Sequence, residues 1–116
     1  MSHSHAQPEP LWIAATPSEA IPRRHGRAVA VSGREIAVFN LGDRFLAVDN
    51  HCPHEGGRLC DGIVAVNAVV CPLHAWKVSL ENGAVTCPAG LGTTVPTYPT
   101  RVEDGVVMVA LGGALA

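Results

Sequence analysis

Aromatic residues are scarce in this chain of 116: two Trp, two Phe and one Tyr, against an apolar fraction of 47%. The core must therefore be aliphatic, built mainly from Val and Ala. No run approaches the ~18 apolar residues that cross a bilayer as a helix, so no membrane span is expected. Neither sign of charge dominates. Eight Lys and Arg against ten Asp and Glu leave a formal charge of −2. That balance argues against a nucleic-acid partner, whose recognition calls for a basic face. Residues 1–10 lack the basic and apolar stretches of a signal peptide. They read as a flexible polar tail in which His3 and His5 are solvated. The expected compartment is the reducing cytoplasm, where four Cys bind metal or stay free rather than pair.

A sustained helical period is also missing. Residues 18–21 can make one helical turn, but Pro17 and Pro22 bracket it. What is present is frequent punctuation, with twelve Gly and nine Pro. Short Val-rich runs lie between the turns, at 11–14, 28–31, 35–40, 44–49, 62–66, 68–71, 76–80, 84–86, 97–102 and 106–111. Ser32-Gly33-Arg34, Glu81-Asn82-Gly83 and Glu103-Asp104-Gly105 are hairpin signals. About ten short strands with regular turns predict an all-β sandwich or barrel in one domain.

The alternation breaks at 50–58, a polar loop reading Asn50-His51-Cys52-Pro53-His54-Glu55-Gly56-Gly57-Arg58. A second break reads Cys71-Pro72-Leu73-His74-Ala75-Trp76. Cys-x-His is thus followed, 16 residues later, by Cys-x-x-His. Each half follows a strand signal, and Pro after each Cys stiffens the loop by fixing φ and removing a donor. Two thiolates and two imidazoles suit either zinc or a [2Fe–2S] cluster in which His₂ replaces Cys₂ on one iron. Structural zinc sites usually pair Cys with Cys and His with His. Here each loop supplies one of each, which lets both loops give sulfur to an inner iron and nitrogen to an outer iron. Cys52, His54, Cys71 and His74 are the candidate ligands.

With these residues in view, the chain resembles the Rieske family from Leu11 to Leu111. Cys52-Pro53-His54, Gly56, Leu59, Gly62, Cys71-Pro72-Leu73-His74 and Trp76 carry the resemblance. Glu81-Asn82-Gly83, Thr97-Tyr98-Pro99 and Val102-Glu103-Asp104-Gly105 are similar to the soluble bacterial members. The resemblance implies a Rieske [2Fe–2S] cluster and an antiparallel β-sandwich over 11–116, with a small cluster-binding subdomain inserted at about 50–78. Among soluble members the chain is most similar to small subunits of NAD(P)H-dependent nitrite reductase and the ferredoxins like them.

Two departures from the high-potential respiratory members carry information. Those add a Cys to each ligand loop and join them in a disulfide; the matching positions here are Gly57 and Leu73. They also place hydroxyl donors where this chain has Trp76 and Val78. Hydrogen bonds toward the sulfurs raise the potential. Their absence implies a value near the low end of the roughly −150 to +300 mV Rieske range.

The function so implied is one-electron transfer, with no catalytic site in this chain. No G-x-G-x-x-G fingerprint is present, so flavin, nicotinamide and substrate belong to protein partners. The first expectation is a large reductase subunit carrying flavin and sirohaem. The second is a ferredoxin reductase and a ring-hydroxylating oxygenase. A zinc-stabilised or metal-free interaction module is the reading from another class. Cys60 and Cys87 have no ligand spacing and read as small apolar residues. His25 and His51 read as solvated. Pro88-Ala89-Gly90-Leu91-Gly92 resembles a loop that shields the cluster in relatives, and reads equally as an ordinary turn. Glu55, Arg58 and Asp61 give the first loop a charged rim of the kind that steers docking.

Overall fold

The computed structural model describes residues 11–53, 56–73 and 75–111. Eleven strands and two single turns of 3₁₀ helix make up the regular structure among them. In chain order the strands are β1 (Leu11–Pro17), β2 (His25–Val31), β3 (Arg34–Asn40), β4 (Phe45–Asp49), β5 (Ile63–Ala65), β6 (Ala68–Val70), β7 (Lys77–Ser79), β8 (Val85–Cys87), β9 (Thr97–Tyr98), β10 (Thr100–Glu103) and β11 (Val106–Leu111). They form three antiparallel sheets, ordered β1-β11-β10, β2-β3-β4-β9 and β5-β6-β7-β8.

The middle sheet is buried on both faces, and the period of two along its strands shows how. Ile36 and Val38 of β3 and Ala47 of β4 join Val107 and Val109 of the first sheet in one core. Their neighbours Ala37, Phe39 and Val48 point the other way, to meet Val64, Val69, Val78 and Val85 of the third sheet. The 36–39 stretch is therefore an unbroken apolar run with no exposure at any position. Cys52 and Cys71 belong to this second core, so the middle sheet is the floor on which the candidate site stands.

Two hairpins form as their sequences predict. Ser32-Gly33 and Asp104-Gly105 each supply two successive positive φ values (49° and 80°, 52° and 78°) between paired strands. That is the type I′ geometry whose twist matches the flanking strands. Several details differ from expectation, among them β2, which begins at His25 rather than at 28. β1 runs on to Pro17, because a bulge between Ala14 and Thr16 lets pairing with β11 resume in a shifted register. The run 97–102 is two strands: Pro99 lies between β9, which pairs with β4, and β10, which pairs with β11. The helical turn expected between Pro17 and Pro22 is a 3₁₀ turn, Ser18–Ala20, and a second one, Leu59–Asp61, follows the first Cys-x-His loop.

Candidate metal centre

Both predicted loops are hairpin-like closures off sheet strands, and both are closed in the same way. The Cys52 N–H donates to the Gly57 carbonyl at 2.8 Å, and the Cys71 N–H donates to the Trp76 carbonyl at 2.7 Å. Each cysteine thus ties its own backbone to the residue five positions later. In the first loop the Gly56 N–H adds a bond back to the Cys52 carbonyl at 2.8 Å, and His51 bridges to Arg58 outside the loop. In the second, the Leu73 N–H donates to Cys71 Sγ at 3.4 Å. β4 leads into the first loop; β6 leads into the second and β7 leaves it.

The two thiols are almost wholly withdrawn from solvent, Cys52 at 2% and Cys71 at 1% exposure. Both are free rather than joined in a disulfide. Burial pushes the Cys71 thiol above its ordinary range. The Leu73 N–H opposes that shift, and the adjacent Cys52 side chain adds to it through a hydrogen bond and charge repulsion. The two cysteines, 19 positions apart in sequence, therefore meet in one buried cluster. His54 and His74, the other two candidates, lie outside the described residues, as do Glu55 and the tail with His3 and His5.

A cluster-bearing reading has to find room beside these sulfurs. Gly57 is buried, and a Cβ placed on it would stand 2.9 Å from Cys71 Sγ. Any other residue would crowd the sulfur, so glycine leaves that side open. Two adjacent soft donors, held out of water by preformed loops, are what an iron–sulfur centre requires of a protein.

The remaining candidates sit as follows. Trp76 is half-buried and packs against the core that contains both cysteines. Cys60 is half-buried with its thiol 3.7 Å from Asp61 Oδ1, Cys87 is exposed on β8, and both are free. His25 and His51 are exposed. The loop 88–92 is exposed along its whole length. Arg58 reaches both Glu35 and Asp61, at 3.8 and 3.9 Å. Sequence reasoning passed over Asn50, which is fully buried and bonds across the mouth of the first loop. An Asn at the start of a polar loop gives no sign of this, since turns use it on the surface just as often.

The model of the Rieske-like [2Fe-2S] domain matches residues 11–110. The chain belongs to that family. A Rieske [2Fe–2S] cluster is accordingly its cofactor and electron transfer its role, exercised with redox partner proteins. It is 32% identical to the ferredoxin component of the naphthalene 1,2-dioxygenase system of Pseudomonas aeruginosa, over 86% of this chain and 95% of that one. It is 40% identical to the anthranilate 1,2-dioxygenase ferredoxin subunit of Burkholderia cepacia, over 73% of this chain and 79% of that one. Among solved structures, a protein described as the NADH-dependent nitrite reductase small subunit of Mycobacterium tuberculosis superposes with a TM-score of 0.81 at 27% identity, covering 90% of this chain and 97% of that one. Among the described residues no helix is long and apolar enough to cross a membrane.

Proposed function

We propose that Cys52, His54, Cys71 and His74 hold the cluster, and that the protein is a cytoplasmic ferredoxin passing single electrons to a ring-hydroxylating oxygenase. The observation that carries the ligand set is the meeting of Cys52 and Cys71 at the closed bases of two separate loops. The oxygenase rests on the relatives above, which are ferredoxin components of dioxygenase systems and are matched over most of their length. From sequence alone the nitrite reductase small subunit came first. That second reading keeps the support of the structural likeness to such a subunit.

When bound, the cluster supplies a one-electron couple. The chain's own residues prepare for it. Burial disfavours a bare thiolate at Cys71, and a bound metal would supply the compensating positive charge. Among the described residues, the Leu73 N–H is the backbone donor aimed at Cys71 Sγ. Val78, fully buried, offers no hydroxyl. Few donors at the sulfurs support a low potential, suited to electrons that come from NAD(P)H by way of a flavin reductase. The domain is taken as 11–116, with 1–10 as its tail.

The test is anaerobic purification followed by assay of iron and acid-labile sulfide. Red-brown protein with equal amounts of the two is expected; colourless protein with one zinc overturns the reading. Reduction by a separate flavin reductase, with onward transfer to a terminal oxygenase, supports the ferredoxin role. Copurification with a large sirohaem-containing subunit supports the second reading instead.

A further inference from the structure

Cys52 is reached from β4 through two residues, and the first of them is Asn50. Its side chain has no exposure, and with Thr16 it makes up the buried polar residues among those described. Asn50 bonds in three directions. Its N–H donates to the Glu35 carbonyl on β3 at 3.0 Å, and its own carbonyl accepts the Leu59 N–H at 3.4 Å. Its Oδ1 accepts the Cys60 N–H at 2.7 Å. Leu59 and Cys60 open the 3₁₀ turn that follows the loop. One residue before the loop therefore grips two residues after it and the strand beneath.

The outer side of the same mouth carries weaker ties. The Glu35 carboxylate lies 3.7 Å from His51 Nε2 and 3.8 Å from Arg58 Nη2, all of them substantially exposed. Ion pairs of that kind contribute little. The buried amide is different, because inside the core a lost partner leaves a polar group unsatisfied. Its nitrogen Nδ2 has no hydrogen-bond partner among the described residues.

We propose that Asn50 is the positioning residue of the first ligand loop, locking its two ends together from inside the core in a protein that has no disulfide between its loops. The inference rests on Cys52 being a cluster ligand. Release of Cys52 from a bound iron would loosen the mouth of the loop, where Cys52 bonds to Gly57, and that loosening strains the bond between Asn50 and Cys60. Asn50 thereby governs how long the cluster is kept.

The experiment uses the loaded full-length chain and a chelator, following iron release through the loss of visible absorption. Asn50→Ala is expected to release iron about tenfold faster than the parent (about 1.4 kcal/mol). Asn50→Asp retains an Oδ1 acceptor for the Cys60 N–H and is expected to release iron within about threefold of the parent. Val107→Ala, in the other core, is the control for general loss of stability and is expected to leave the release rate unchanged. Parent-like release from Asn50→Ala, or equal acceleration by Val107→Ala, overturns the proposal. Hydrogen exchange in the loaded parent gives an independent reading. A slowly exchanging Cys60 amide supports the lock, and exchange as fast as an exposed loop amide overturns it. A parent protein that binds no iron or sulfide refutes the cluster ligands themselves, a distinct result.

Discussion

A Cβ on Gly57 would stand 3.1 Å from Leu73 Cδ1, so the glycine of the first loop faces the leucine of the second at contact distance. These are the two positions where the respiratory relatives carry their joined cysteines. Here the loops meet through an apolar side chain and a missing one. Leu73 is 42% exposed and can swing away from an added methyl. Cys71 Sγ, 2.9 Å from the same Cβ, is buried and cannot. Gly57→Ala is therefore expected to cost about 1–3 kcal/mol at the site by overpacking. Iron content per chain should fall, and Leu73→Ala should not restore it. A fully loaded Gly57→Ala protein would show that the space beside the sulfur is not needed.

Tyr98 gives a pH dependence with a definite sign. Its hydroxyl donates to Asp49 Oδ1 at 2.5 Å and accepts from Arg34 Nη1 at 3.2 Å. Burial, then the bond to Asp49, raises its pKa above the usual 10, with Arg34 opposing. Below about pH 10 the hydroxyl is protonated in both folded and unfolded chains, and its contribution is whole. As pH rises further the unfolded chain gives up the proton first, so the contribution fades through the higher folded pKa. Tyr98→Phe should be less stable than the parent by about 1.5 kcal/mol at neutral pH. Urea unfolding of the two proteins should converge as pH rises past 10. A constant gap up to about pH 11 would mean the Tyr98 hydroxyl does not titrate differently on folding.

Much of the scaffold was legible because turns declare themselves locally. Ser32-Gly33, Asn82-Gly83 and Asp104-Gly105 need glycine at positive φ, and each sits where a hairpin turns. The paired Cys and His were legible because metal chemistry demands particular atoms at particular spacings. The split at Pro99 was less so, since proline removes one donor without saying which sheet comes next. Asn50 was illegible. Its role depends on Glu35 and Cys60 arriving around it, and that is a property of the fold. Val66 was missed for the opposite reason: a β-branched residue at φ 57° contradicts local preference, and the short β5–β6 connection imposes it.

Those turns yield three stability predictions, two of one sign and one of the other. Gly33 has φ 80° with nothing near its would-be Cβ, so Gly33→Ala should cost about 1 kcal/mol from backbone conformation alone. Gly83 has a similar φ of 77°, but its Cβ would lie 2.0 Å from the Val95 carbonyl oxygen. Gly83→Ala should cost at least about 2 kcal/mol more, because the backbone at Val95 or at the turn itself must shift. Val66→Gly should gain about 1 kcal/mol, since the exposed side chain packs little and glycine accepts the positive φ freely. Thermal unfolding of the three variants checks the order. A destabilised Val66→Gly would mean the side chain contributes packing that its exposure hides.

Thiol reactivity separates the four cysteines by where the fold puts them. Cys87 is exposed on β8 and should be alkylated first by an uncharged reagent at neutral pH. Cys60 should follow more slowly. It is half-buried, and burial raises its pKa, with the Asn50 side chain opposing, so less of it is thiolate. Cys52 and Cys71 should not react at all in the loaded protein, being buried and, on the proposed ligand set, engaged with iron. Chelation of the iron should expose them to the reagent only as fast as the loops open. Mass spectrometry of partly alkylated protein would give the order directly. Rapid labelling of Cys52 or Cys71 before iron is removed would mean that the two sulfurs do not hold the metal.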